Sequence, residues 1–222
     1  MINNNQITFP KLFLFSSCFM LLLILGVWQL NKHYYTKIKR VEFSNILEGK
    51  ATTLKFESTT IKTPAFIEIT GLLQESKSIF LEPRTHKGKI GYHKLTPIKL
   101  KNRFFLINRG FTKNKTIENV NNKNITIQGI IINIPKKNFL SLENDLKKNK
   151  WYTYDVKDLK SYFSQDVEPY IVYEKSNIAN GRYFQVIPNI VSDVNHLHYA
   201  ITWFLVAFSI CVIFLISLRE SK

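Results

Sequence analysis

The chain has 222 residues, a formal net charge of +15 and two cysteines, Cys18 and Cys211, each inside a long apolar run. Of its 31 basic residues 25 are lysine and six are arginine, a balance that describes a solvated lysine-rich surface, and no nucleic-acid-binding motif accompanies it. Between the apolar runs there is neither Cys nor Met, which excludes a disulfide, a soft-ligand copper site and a cysteine nucleophile from that region.

The first run, residues 12–30, reads "LFLFSSCFMLLLILGVWQL" and carries no charge over 19 residues. As a helix it spans roughly 28 Å, close to the hydrocarbon thickness of a bilayer. It is longer than a signal-peptide core and no small-residue cleavage site follows, so it reads as a retained transmembrane helix behind a short tail, residues 1–11. A second uncharged run, residues 200–218, reads as the other transmembrane helix, with residues 219–222 as a tail. An even number of spans places both tails on one side of the membrane. Loop charges do not choose the side, because the positive-inside rule loses force for loops beyond about 60 residues.

Residues 31–199 form one intervening domain. It opens with a short helix leaving the membrane, marked by Ile38, Val41 and Leu47, with Tyr34 and Tyr35 at headgroup level. The texture then changes to short runs of Ile, Phe, Thr and Val cut by turn residues, which predicts strands over residues 65–73, 78–81, 91–100, 104–108 and 125–134. A hairpin is expected at "KNR", residues 101–103. In "ITIQGIIINIP" the apolar positions change parity at Gly129, which predicts a β-bulge there. Residues 114–124 read as an exposed loop and residues 155–163 as a short helix capped by Asp155, before strands over residues 170–173 and 183–187. The expected fold class is therefore a membrane protein with two transmembrane α-helices flanking a β-rich α+β domain, an antiparallel sheet or barrel-like.

Signatures of catalysis are missing: no nucleophile elbow, zinc-protease motif, phosphate-binding loop or dinucleotide fingerprint occurs. The reading is of a non-enzyme. The motif-like residues instead bracket the membrane, "GVWQLNK" closing the first span and "NHLHYAITWF" opening the second. On a helix His196, Tyr199, Ala200 and Trp203 share one stripe. Trp28 and Gln29 fall at the same membrane face of the partner helix.

Two accounts of that stripe stay open. Trp28, Tyr34, Tyr35, Tyr199 and Trp203 suit an aromatic belt, with His196 and His198 in wet headgroups. Alternatively a neutral imidazole at His196 is an axial ligand for haem iron, the flat and small side chains beside it admitting a porphyrin, with His33 as a candidate second ligand. In the domain, Arg84 and Arg109 suit either haem propionates or fastening of strand ends to carboxylates, while His86 and His93 read as surface residues.

With "GVWQ", "GYHKLTP", "LINRGF" and "NHLHYAITWF" in this order, the chain resembles the Surfeit locus 1 family, membrane proteins that assist cytochrome c oxidase assembly. The resemblance implies a periplasmic or intermembrane-space domain with both termini on the cytoplasmic or matrix side. The chain's lack of an Arg-rich presequence favours a bacterial inner membrane. It further implies binding or delivery of haem a to the oxidase large subunit, with the haem a synthesis machinery as a second partner and His196 at the family's haem-ligand position. A haem-free scaffold that stabilises an oxidase assembly intermediate is the alternative. Trp28, Gln29, Gly91, Tyr92, Thr96, Pro97, Asn108, Arg109, Gly110, Tyr199, Thr202 and Trp203 match motif positions that carry no assigned chemistry. Lys32 stands where the family usually has Arg, Phe111 where Trp is common and Thr112 where Pro often follows.

Overall fold

The computed structural model describes residues 9–54, 61–117, 124–175 and 183–220. Its chain forms two compact units, one of Met1–Glu42 with Ile190–Lys222 and one of Phe43–Asn189.

Helix α1 runs Phe9–Glu48 and α3 runs His196–Glu220. The first does not stop where its apolar run ends at residue 30. Residues 31–48 contain neither Gly nor Pro, and their Lys, Arg, Glu and Leu are good helix formers, so charge ends the hydrophobic segment without ending the helix. Forty residues span about 60 Å, roughly twice a bilayer core. Both helices contain windows long and apolar enough to cross a membrane.

The second unit is built on one seven-stranded sheet, β1 (Thr52–Thr53), β2 (Ala65–Leu73), β3 (Ile79–His86), β4 (Lys89–Leu100), β5 (Arg103–Thr112), β6 (Asn124–Asn133) and β7 (Val167–Glu174). Its order is β1-β2-β6-β7-β5-β4-β3, and β2 also pairs with β4, so β2, β6, β7, β5 and β4 close into a five-stranded barrel. Closure removes the open edges of these five strands. Most pairings are antiparallel, and the β5 to β7 pairing is parallel.

Alternation along each strand sorts the apolar residues into two layers. Ile67, Ile69, Ile98, Phe105, Ile107, Ile127, Ile131 and Val172 fill the barrel interior. Leu95, Leu106, Ile171 and Tyr173 point outward, where Trp151 and α2 (Val156–Phe163) cover them through Leu159 and Phe163. Asp155 caps α2 as its sequence predicts, accepting from Lys157 N at 2.8 Å and Asp158 N at 3.4 Å.

Two expectations are corrected. No bulge occurs at Gly129, which stays in register with Ile67 and Glu174. The parity change has another cause: β6 is covered on both sides, with Ile127 and Ile131 inside and Ile132 against the outer layer. Residues 183–187 form no strand but a single bridge, Phe184 to Phe111. The β5 to β7 ladder ends at Asn108, so residues 109–112 of β5 lie beyond it, where Phe184 meets Phe111, and Pro188 lacks an N–H to extend the pairing. Within residues 114–124, residues 118–123 lie outside those described. The hairpin at residues 101–103 forms as a two-residue turn, with Leu100 paired to Arg103.

Candidate functional site

Inside the helical unit α1 and α3 run antiparallel. Phe15 and Phe214 stack with centroids 3.9 Å apart. Further along, a side chain at Gly26 would stand 2.6 Å from the Phe204 ring, so glycine is what lets the helices approach there. Ala200 and Ala207 are buried on the α3 side and Gly26 and Thr36 on the α1 side. Small residues at such a seam are how helices pack closely in lipid.

At the end of this seam His196 Nδ1 lies 2.9 Å from Gln29 Oε1. An amide oxygen only accepts, so Nδ1 donates the hydrogen of this bond, and it is the neutral imidazole held in this way that has its lone pair on Nε2. Holding one imidazole nitrogen fixes the tautomer and aim of the other, as in many metal-binding histidines. The donor set therefore fits a single axial imidazole on haem iron. His33 lies one turn beyond Gln29 on the face that carries Gly26 and Thr36, with its ring edge against Tyr34. Among the described residues no three His, Cys, Asp or Glu side chains cluster to hold a metal ion.

The predicted stripe is only partly one surface. Ala200 is buried and His196 and Trp203 are half-buried, while Tyr199 is exposed. Thr202 Oγ1 donates back to Tyr199 O at 2.8 Å. Trp28 is exposed and lines a shallow groove on α1 with Asn31, Lys32 and Tyr35.

The domain motifs converge on a different place. By alternation Lys94 and Thr96 of β4, Arg109 of β5 and Glu174 of β7 lie on the interior side, stacked beyond Ile98, Ile107 and Val172 at one mouth of the barrel. Glu75, just past β2, joins them. Lys94 is fully buried and ion-pairs with Glu75, and its Nζ also donates to the Tyr183 hydroxyl at 2.9 Å. Arg109 Nε pairs with Glu174, while Nη1 lies 3.5 Å from the second Glu75 oxygen. Two cations and two anions thus alternate, which answers the desolvation cost of each. Thr96 bonds Ser78 Oγ at 2.8 Å, and that hydroxyl donates to Glu75 O at 2.7 Å. Gln74 N donates to Pro97 O at 2.9 Å.

Arg109 reaches the mouth through a bulge. Lys94 pairs with Gly110 and Leu95 with Asn108, leaving Arg109 as the extra residue. Gly110 has φ +121°, and a Cβ there would meet Phe184 O at 2.5 Å, so both backbone and space require glycine. Asn108 Oδ1 accepts from Gly110 N at 3.0 Å and braces the bulge. At Gly91 a Cβ would strike Thr112 O. The neighbouring Tyr92 meets Phe80 edge-on and lies under Lys115.

Arg84 donates to Pro83 O at 2.7 Å and Tyr152 O at 2.9 Å. Arg84 and Arg109 therefore both fasten the protein to itself. His86 stacks on Phe184, with centroids 5.2 Å apart. His93 departs from its surface reading: its Nδ1 is buried and, among the described residues, has no hydrogen-bond partner. Burial, then the charges of Arg84 and His86, push its pKa down to about 4. Burial also holds the Tyr154 and Tyr173 hydroxyls above their ordinary value.

Sequence reasoning missed Glu75, Glu174, Lys94 and Tyr183. Lys94 sits within "GYHKLTP" on the strand parity of Thr96 and Ile98, and that parity on its own does not set it apart from a surface lysine.

A family profile described as "SURF1 family" matches residues 17–208. A protein named "SURF1-like protein" from Rickettsia felis is 29% identical over 215 residues, covering 91% of this chain and 94% of its own. One of the same name from Rickettsia conorii is 29% identical over 221 residues, covering 94% of this chain and 91% of its own.

Proposed function

This membrane protein belongs to the SURF1 family, and we propose on that footing that it is an assembly factor for cytochrome c oxidase that holds haem a for the oxidase large subunit. The observation that carries the proposal is the His196 to Gln29 bond, which leaves Nε2 of His196 as an aimed donor at the end of an apolar helix pair. His196 would hold haem iron through this nitrogen.

The chain's own residues supply the rest. Gln29 holds the imidazole proton on Nδ1, and half-buried Trp203 offers an aromatic flank. Tyr199 and Trp28 offer exposed rings on the same helices. A holder of this kind needs ligation and release and no catalytic group. With two spans, a periplasmic domain in a bacterial inner membrane leaves both termini cytoplasmic, where haem a synthesis would precede loading.

A second reading has one observation in its favour. The same bond is also a plain inter-helix staple, in which case the protein is a haem-free scaffold for an oxidase intermediate. The His196→Ala chain, expressed in place of the native one, separates them by the haem a content and activity of the oxidase. Loss of haem a from the large subunit with the variant still present in the membrane supports the holder. Full oxidase maturation by the variant supports the scaffold.

A further inference from the structure

The segment joining β6 to α2 presents a surface that neither the barrel nor the helix pair uses. It reads "KKNFLSL" over residues 136–142. Ser141 N donates to Asn138 O at 3.1 Å and closes a turn. Asn138 N donates to Ser141 Oγ at 3.1 Å, and that hydroxyl donates to Asn138 Oδ1 at 2.7 Å. The turn is braced by its own polar groups and places Phe139 and Leu140 at its tip, where they are 99% and 85% exposed, with Leu142 exposed beside them. Three exposed apolar side chains within four residues, two of them at the tip of a cross-bonded turn, differ from the scattered leucines of an ordinary surface. Lys136 and Lys137 precede the tip and are exposed, and residues 135–150 carry five lysines against two acids.

We infer that this turn is a lipid-docking tip, inserting Phe139 and Leu140 into the interface of an anionic bilayer while Lys136 and Lys137 meet lipid phosphates. The charge favours lipid as the occupant: an apolar point with a basic collar matches an interfacial anchor at an acidic membrane surface. Lysine stems are long enough to follow the tip down while keeping their ammonium groups in water. The two apolar helices tether the domain to a bilayer, so lipid is present at high local concentration. Docking requires no haem.

The test uses the full chain with Cys18→Ser and Cys211→Ser, a nitroxide on Leu140→Cys, and nanodiscs of phosphatidylcholine with or without phosphatidylglycerol. Because Phe139 and Leu140 pack on nothing, labelling there leaves the fold intact. In phosphatidylglycerol discs the label should collide several-fold more with oxygen than with an aqueous nickel chelate. Lys136→Glu with Lys137→Glu should reverse that ratio, and a label on exposed Asn102→Cys should stay aqueous throughout. A label at 140 as aqueous as that at 102 in every disc overturns the inference. So does spin–spin broadening that shows the tip against a second copy, or immersion indifferent to phosphatidylglycerol.

Discussion

Lys94 and Glu75 form an ion pair at the mouth of the barrel, where the lysine is wholly shielded from solvent. Arg109 and Glu174 extend it into a network of charges, and the Tyr183 hydroxyl accepts from Lys94. Burying these groups is tolerable only because each meets its opposite. Glu75→Gln should therefore destabilise the domain by about 3–5 kcal/mol, by stranding Lys94 beside a neutral amide while Arg109 keeps Glu174. The double change Glu75→Gln with Lys94→Met should recover part of that loss. Denaturant unfolding of the detergent-solubilised chain, followed by the fluorescence of buried Trp151, measures both.

His93 predicts a pH dependence. Its folded pKa of about 4 lies below the ordinary 6.5, so the unfolded chain binds more protons across that window. Stability from this group is full above pH 6.5 and falls as pH drops toward 4, by about 3 kcal/mol in all. A His93→Gln chain should lose less stability than the native one between pH 6.5 and 4. Parallel unfolding curves at the two ends of that window give the difference directly.

Gly110 is the most demanding backbone position. Gly110→Ala places a Cβ at a φ of +121° and against Phe184 O, and should cost at least about 1–3 kcal/mol. Hydrogen exchange should locate the damage: the Phe111 and Phe184 amides, which bond across the bridge, should lose protection before the barrel strands do.

Much of this architecture is legible in the sequence. Alternating Ile and Phe mark the barrel strands, Asp155 announces α2, and the two apolar runs announce the helices. What escapes is what only closure creates. Along β4 the interior parity runs Lys94, Thr96, Ile98, Leu100, which on its own names no buried face, and Glu75 and Glu174 become its partners only when the strands meet around the barrel. The far end of α1 escapes for another reason: hydropathy follows the bilayer, whereas helix formation continues through Lys, Arg and Glu to Glu48. The stripe through His196 and Trp203 is legible from spacing, yet the Gln29 bond to the imidazole depends on two helices bringing together residues 167 positions apart.

That bond yields its own prediction. Gln29→Leu removes the acceptor for Nδ1–H and should weaken haem a binding about 10- to 100-fold, with Gln29→Asn falling between. Titration of haem a into the purified proteins, followed at the Soret band, ranks the three.

The central claim is tested most directly by the reduced-minus-oxidised spectrum of the full chain purified in detergent from cells that make haem a, with His196→Ala prepared in parallel. A haem a band in the native protein that disappears in the variant is the predicted result. A native protein without pigment, or a variant that keeps the same band, would contradict ligation by His196.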